Sequence, residues 1–343
     1  MEAEKTINSL VDFISIITKQ EDPSLKKSID EDGLIGSVEA LSEYNQILKR
    51  YYSGEQLELS LPFFLQNTIS IYNFLWNMEN HRIDRSEPKR YYYRGCSNLS
   101  HKLAPGIYRA NAKEENFFFK EMQVRCSMQL TQDLLLDKLV YLQHYGCPTR
   151  LLDITTNPLV ALYFACEDDN SKDGVVYCFL VREKDILYPN SDRAQMLSHL
   201  CEFHEQEQEQ IMALSMLYEG LKKFKQNSNS KYTPAIIERL YHSIKRETAA
   251  FEREMRPFDL LRPAFIQVSK SNPRITKQDG AFILSGLAVD EVDCDNRIKK
   301  HVFQRIIVPA VNKKSILKDL EQIGICEATL FPEADRIASY LKQ

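Results

Sequence analysis

The sequence predicts an α+β protein that combines a central mixed or antiparallel β-sheet with a helical N-terminal region and a helical insertion. Three observations support this fold class. Residues 139–181 alternate between helical and extended patterns, residues 1–85 carry apolar stripes at helical spacing, and residues 191–256 are strongly helical and rich in charge. We therefore expect residues 1–85 to form the N-terminal region and residues 86–343 to form an α/β domain, with the insertion at about residues 190–257.

The composition is that of an ordinary globular protein and argues against several kinds of partner. Apolar residues make up 43% of the 343 residues and charged residues make up 27%. The net charge is 44 − 48 = −4, which does not indicate nucleic-acid binding, and no apolar run approaches the roughly 20 residues that span a bilayer. The eight cysteines show neither a CxxC pair nor metal-ligand spacing, so we expect a cytoplasmic protein without a metal site or a membrane partner.

The segment 139–181 predicts a helix, a turn, a strand, a second helix, a loop and a second strand. Gly146 and Pro148 end the first helix, because proline lacks an amide donor and disfavours helix in the residue before it. Thr156 or Asn157 caps the second helix, whose first position is a proline. Across the chain we predict helices over residues 1–20, 37–52, 113–143, 274–278, 312–324 and 333–341, strands over residues 90–94, 149–154, 175–181, 281–284 and 301–309, an extended segment over residues 260–268, and departure from the sheet at residues 185–188.

The polar residues His144, Arg150, Asp153, Thr155 and Asn157 lie within a stretch of fourteen positions in this apolar segment. A buried charge is unfavourable unless it is paired, so Arg150 and Asp153 either form an ion pair, line a cleft, or do both. A structural ion pair is the interpretation that these residues alone favour. The alternative is the rim of a ligand-binding site.

Three groups of residues resemble the FRG domain family of bacterial proteins. The first is Tyr93-Arg94-Gly95, the aromatic-Arg-Gly motif from which that family takes its name. The second is the segment 144–166, which begins His144-Tyr145-Gly146, and the third comprises the segments 272–282 and 329–335. The resemblance runs from about residue 91 to residue 341 and is interrupted by the helical insertion.

The order of elements also resembles the ADP-ribosyltransferase fold. The resemblance implies an ADP-ribosyltransferase-like sheet and NAD as a substrate. It further implies that Arg94 holds the ribose or phosphate of NAD, and that a hydroxyl from Thr149, Thr155 or Tyr163 supports the nicotinamide. At the position that stabilises the ribosyl centre it places Gln278 or Asp279, with Asp153 as another source of a carboxylate.

Arginines next to glycines give this expectation some physical support. A dinucleotide carries a diphosphate, for which bidentate arginine is well suited, and a nearby glycine allows the backbone to approach a ligand closely. Such arginines occur at three element ends: Arg94, Arg150 and Arg274, near Gly95, Gly146 and Gly280. The expected catalytic residues are Arg94, Asp153 and Gln278, and the expected NAD-binding residues are Tyr93, Gly95, His144, Thr149, Arg150, Thr155, Asn157, Tyr163 and Arg274.

Three functional interpretations remain open at this stage. The first is an NAD-consuming enzyme that transfers ADP-ribose to a macromolecular acceptor or hydrolyses NAD, as a toxin or a phage-defence effector. The second is a non-catalytic module that binds a nucleotide or a modified polymer in the same cleft. The third is an interaction protein in which an Arg150–Asp153 pair only supports the fold. We rank the enzyme first, and the sequence leaves the oligomeric state open.

Overall fold

The computed structural model describes residues 3–19, 38–52, 61–80, 87–109, 115–168, 171–219, 234–251, 256–270, 272–333, 336–338 and 342. The strands in this part of the chain are β1 Ala3–Thr6, β2 Lys89–Cys96, β3 Leu151–Thr155, β4 Gly174–Arg182, β5 Ile186–Leu187, β6 Ala264–Ile266, β7 Gly280–Leu284 and β8 Val302–Val308. The helices are α1 Leu10–Thr18, α2 Val38–Tyr52, α3 Leu61–Gln66, α4 Thr68–Asn80, α5 Glu115–Arg125, α6 Leu135–His144, α7 Pro158–Cys166, α8 Asp192–His199, α9 Glu205–Glu219, α10 Ala235–Glu247, α11 Pro273–Lys277, α12 Glu291–Lys299, α13 Ala310–Gln322 and α14 Glu327–Leu330.

The strands form one mixed sheet in the order β1-β8-β4-β2-β3-β7-β6-β5. The pairings in the middle of the sheet are antiparallel, and the outermost strand on each side, β1 and β5, pairs in parallel with its neighbour. The expectation of a mixed sheet within an α+β protein is therefore confirmed. The two edge strands were not predicted, and the expectation that residues 185–188 leave the sheet was wrong, because Ile186 and Leu187 pair with β6. A strand of two residues is too short to show the alternation of apolar and polar residues by which a strand is recognised in a sequence.

Most central strands lie where the sequence predicted them. β2, β3, β4, β7 and β8 differ from the predicted ranges by at most two residues at either end, and β6 occupies the middle of the extended segment 260–268. Asn157 is the residue that caps α7, because its side-chain oxygen accepts a hydrogen bond from Leu159 N at 3.0 Å. The predicted closing helix over residues 333–341 falls largely outside the described residues.

Two helical predictions need correction. The single helix predicted over residues 113–143 is two helices, α5 and α6, because residues 126–134 form turns and irregular structure. The second of them, α6, begins at Leu135. Its main-chain N–H has no partner within the helix and donates to Glu247 Oε2, a distant side chain, at 2.8 Å. The helix predicted over residues 1–20 is shorter, because β1 precedes α1 and joins the sheet.

The two faces of the sheet carry different layers, which we name after the helices that cover them. The α7 face packs against α1, α7 and α13 around Phe13, Val160 and Ile316. The α12 face packs against α12 through Cys294 and Ile298. Side chains alternate along a strand, so Tyr93 and Gly95 belong to the α7 face, whereas Tyr92, Arg94 and Cys96 belong to the α12 face.

The helices of the N-terminal region and of the insertion share one core on the α7 side of β3, β7 and β6. Leu151, Phe282 and Ala264 contribute to it from these strands. Tyr44 of α2 donates a hydrogen bond from its hydroxyl to Met216 O of α9 at 2.7 Å, so the two helical regions contact each other directly. The insertion therefore packs onto the sheet together with the N-terminal helices.

Candidate functional site

Arg94 joins β2 to β3 where main-chain pairing between these strands is minimal. The two strands pair at Tyr93 and Thr155, and the Arg94 guanidinium donates from NH1 to the main-chain oxygen of Asp153 at 2.5 Å. Arg94 is half-buried, and its Nε is buried without a hydrogen-bond partner among the described residues. A buried donor without a partner is unfavourable, so this guanidinium retains capacity to bind a ligand.

The side chains of Arg94 and Asp153 start from opposite faces of the sheet. Leu152 and Ile154 lie on the α12 face with Tyr92, so Asp153 between them must point to the α7 face. The guanidinium reaches between the strands to the Asp153 main chain, whereas the Asp153 carboxylate is exposed on the other side.

A chain of hydrogen bonds orients the Asp153 carboxylate. Gln143, in the last turn of α6, donates from Nε2 to Asp153 Oδ2 at 2.9 Å. Buried Thr149 donates from its hydroxyl to Gln143 Oε1 and accepts from Leu151 N at 3.1 Å. Asp153 Oδ1 accepts no hydrogen bond within the described part of the chain, so one carboxylate oxygen is oriented by Gln143 while the other faces outward.

Arg150 is not the partner of Asp153, which corrects the expected ion pair. Its side chain is completely buried, and its Nε donates to the two carboxylate oxygens of Glu115 at 3.1 and 2.9 Å. Its main-chain N also donates to Glu115 Oε1 at 3.0 Å. Burial by itself would lower the pKa of Arg150, but the Glu115 carboxylate raises it overall. Arg150 therefore holds α5 against the start of β3 and presents no surface to a ligand.

Gly95 is also used internally and does not provide an approach for a ligand. A Cβ on Gly95 would lie 1.8 Å from the main-chain oxygen of Ala161 in α7. Glycine at this position lets α7 lie directly on β2. Tyr93, its neighbour on the same face, is buried in the core that α7 covers. The aromatic-Arg-Gly motif thus packs a helix with its first and third residues and leaves only Arg94 for chemistry.

Thr155 and Asn157 bind the turn that precedes β7. Thr155 donates from its hydroxyl to Gln278 O at 2.7 Å and accepts from Asn157 N at 2.9 Å. Asn157 Nδ2 donates to Asp279 Oδ2 at 3.4 Å, and Lys270 contacts the other carboxylate oxygen of Asp279 at 3.3 Å. Asp279 has a φ of 47°, a left-handed conformation that aspartate tolerates. These polar groups fix the end of β3 to the start of β7.

Three more of the predicted residues, Gln278, Arg274 and His144, contact the end of α14 or the segment that follows it. Gln278 donates from Nε2 to Leu330 O at 3.1 Å, and the Arg274 guanidinium lies 4.7 Å from the centre of the Phe331 ring. His144 Nε2 lies 3.8 Å from Glu333 Oε1. This segment therefore links α11 to the end of α6, which also carries Gln143. The Gln278 side chain is occupied by a structural contact.

Tyr163 lies in α7 and donates from its hydroxyl to Glu167 Oε1 at 3.3 Å. Burial raises the pKa of Tyr163, with a further contribution from the Glu167 charge. Burial and the neighbouring Asp168 likewise raise the pKa of Glu167. The hydroxyl expected to support nicotinamide is thus engaged with a carboxyl group of its own helix region.

Sequence reasoning missed two residues that organise this site. Gln143 directly precedes the His144-Tyr145-Gly146 motif, and this position was the one signal that could have identified it. Glu115 lies 35 residues before Arg150 and carries no local signal. In the described ranges no group of three or more His, Cys, Asp or Glu residues is arranged to hold a metal ion. No described helix combines the length and the apolar character needed to cross a membrane.

Comparison with known proteins identifies the segment that contains this site. The FRG domain family model matches residues 89–174. No curated protein and no solved structure matches the chain. Arg94, Gln143, Thr149 and Asp153 lie inside the matched segment, whereas Arg274 and Gln278 lie outside it. The chain therefore carries an FRG domain at residues 89–174.

Proposed function

We propose that this protein is an NAD-consuming enzyme that transfers ADP-ribose to a macromolecular acceptor or hydrolyses NAD. One observation carries the proposal: the Arg94 guanidinium is bonded to the main chain of Asp153, the residue whose carboxylate is exposed and oriented by Gln143. NAD requires both kinds of group, a cation for its diphosphate and an anion for the positive charge that develops on its ribose.

The proposed reaction breaks the bond between C1′ of the ribose and the nicotinamide nitrogen. Nicotinamide leaves with the electron pair of that bond, and positive charge develops on the ribosyl group. Asp153 stabilises this charge, since a fixed carboxylate needs no reorganisation as the charge appears. Water or an acceptor group then bonds to C1′ and releases its proton to the solvent. Arg94 holds the diphosphate.

An exposed aromatic ring at the end of α6 supports the binding of a nucleotide. Tyr145 directly follows α6 and is 63% exposed. Its ring centre lies 4.7 Å from that of Tyr141 and 5.0 Å from that of His144. Aromatic rings of this kind stack on the flat face of a base. Tyr145 and Gln143, which orients the Asp153 carboxylate, belong to the same end of α6.

The contacts of Gln278 favour the second candidate function, a binding module without turnover. Its amide is engaged with Leu330 O, so it does not occupy the role of the residue that stabilises the ribosyl centre. If Asp153 does not take over this stabilising role, the same site binds a nucleotide or a modified polymer without chemical reaction. A role as a toxin or phage-defence effector belongs to the first proposal, because it depends on the consumption of NAD.

An NAD-consumption assay on the purified full-length chain tests the enzymatic proposal. We expect NAD to be lost with the wild type and with Asp133→Asn, which changes another exposed carboxylate near the start of α6, but not with Asp153→Asn. Calorimetric titration of the same samples with NAD shows whether Arg94→Gln abolishes binding. Consumption by the wild type no faster than the protein-free blank overturns the enzyme, and NAD binding without consumption then supports the binding module.

A further inference from the structure

A polar cavity lies outside the sheet, where α5 meets the helical insertion. Its volume is about 400 Å³, within the range of small-molecule sites in proteins. Lys120 of α5, Glu202 and Phe203 after α8, and Arg239 and Arg246 of α10 contribute to its walls. None of these residues takes part in the site at β2 and β3.

The cavity carries more positive than negative charge. Arg239 pairs with Glu207 at 2.5 Å, and Arg246 lies 3.5 Å from Glu202. The ammonium of Lys120 has no ion-pair partner in the described part of the chain, although it contributes with Arg246 to the electrostatics of Glu202. Burial would raise the pKa of Glu202, but His199 and these two cations lower it overall. With three cations and two carboxylates, one positive charge is left uncompensated.

The groups at the base of the cavity are held in place by buried contacts. Ser243, which is 4% exposed, donates from its hydroxyl to Glu202 and lies 3.0 Å from His199 Nδ1. The Arg239 guanidinium lies 4.3 Å from the centre of the Phe203 ring, and Glu207 binds one of its nitrogens. The Arg239 guanidinium is thus held by Glu207 at one nitrogen and by the Phe203 ring against one face. Its other N–H groups can bind a ligand.

We infer that this cavity is a binding site for a small molecule with a phosphate group, held by Lys120, Arg239 and Arg246. Phosphate matches the available donors, since guanidinium binds it through paired N–H groups and ammonium binds it as a point charge. Arg246 is 75% exposed and its contact with Glu202 is long, so it can turn toward an incoming anion. Three cations around a cavity of this size suit one compact anion and not a nucleic-acid strand.

Calorimetric titration of the full chain with ribose 5-phosphate tests the inference, with ribose as the uncharged control. We expect saturable binding of ribose 5-phosphate, weakened by salt, and no binding of ribose. Arg246→Ala should weaken binding about tenfold, the loss expected for one charge-assisted hydrogen bond. Arg125→Ala should leave it unchanged, because Arg125 is 74% exposed and paired with Glu121 on the same helix but lies outside the cavity.

The design separates this cavity from the proposed NAD site, since it measures binding without NAD. Arg94→Gln should leave the affinity for ribose 5-phosphate unchanged. Absence of saturable binding overturns the inference, and so does an affinity that Arg94→Gln reduces while Arg246→Ala and Lys120→Ala do not. Circular dichroism of each variant confirms that it is folded, and Arg246 and Lys120 are exposed enough for both substitutions to be tolerated.

Discussion

Glu115 and Arg150 form an ion pair inside the protein, between the first turn of α5 and the residue before β3. Glu115 accepts from both the side chain and the main chain of Arg150, and both side chains are almost completely removed from solvent. The arginine in the FRG segment that was expected to meet Asp153 or NAD is therefore a support for the fold. The carboxylate of Asp153 is left available at the surface.

Glu115→Gln should destabilise the protein by about 3–5 kcal/mol, because it leaves the buried charge of Arg150 without a counter-charge. Asp153→Asn should change stability by no more than about 0.5 kcal/mol, since its carboxylate is exposed. Urea denaturation of the two variants measures both values. A loss in Asp153→Asn as large as that in Glu115→Gln would restore the Arg150–Asp153 pairing that the sequence predicted.

Gly95→Ala should destabilise the protein strongly. The new Cβ would lie 1.8 Å from Ala161 O, and the main chain of α7 must move to relieve the overlap. We expect a loss of about 1–3 kcal/mol or more, measured by the same denaturation. Gly280→Ala is the matched control, because its nearest contact is the Ile275 Cγ2 methyl at 3.3 Å, which can shift. Equal losses in the two variants would contradict a packing role specific to Gly95.

Local patterns were enough to predict the middle of the fold but not its long-range partners. β2, β3 and α7 each contain their own signals, such as the aromatic run before Arg94 and the Asn157 cap. The partner of Arg150 is Glu115, which lies 35 residues away on α5. In the sequence, this glutamate cannot be distinguished from a glutamate on a solvent-exposed helix face. A single sequence cannot reveal such a pairing.

The candidate site was predicted in part, for a similar reason. Arg94, Thr149 and Asp153 were identified by motif, and the structure connects them through Gln143 and the Asp153 main chain. Gln278 was placed by the order of elements, and its amide binds Leu330 O 52 residues further on. Which contact a long polar side chain makes depends on tertiary structure, which the order of elements does not contain.

His199 should make stability depend on pH. Its ring lies 3.4 Å from Glu202 Oε2 and 3.6 Å from Glu247 Oε2, with Ser243 also in contact, and Arg246 and Lys120 act on Glu202 from outside. Burial would lower the pKa of His199, but the carboxylates of Glu202 and Glu247 raise it overall from its ordinary value of 6.5. A raised pKa contributes stability that is complete below pH 6.5 and is lost as the pH rises through the folded-state value.

Denaturation of the wild type and of His199→Gln from pH 5.5 to about pH 9 checks this sign. The wild type should lose stability above about pH 6.5, and the variant should lose less over the same interval, since it has no proton to release. Glu202 acts in the opposite direction at acid pH. Its pKa is lowered, so its contribution to stability is complete above pH 4.5 and is lost as the pH falls through the folded-state pKa. Identical slopes for the two proteins above neutrality would show that His199 is neutral in the folded state.

Gln143→Ala should reduce NAD consumption through the position of Asp153. Gln143 donates to Asp153 Oδ2, and Thr149 in turn donates to Gln143. Loss of this support lets the carboxylate turn away from the ribose, so we expect kcat to fall about tenfold or more while KM changes little. Asp153 itself remains in place, so the residual rate should exceed that of Asp153→Asn.

Thr149 should act only through Gln143, and a double-mutant cycle tests this order. Thr149→Val should lower kcat in the wild-type background and have no further effect when Gln143 is already alanine. Thr149→Ser keeps the hydroxyl and should retain activity, which separates the hydrogen bond from the packing of a buried residue. Additive losses in the double variant would mean that Thr149 contacts the substrate directly or disturbs the start of β3, where it accepts from Leu151 N.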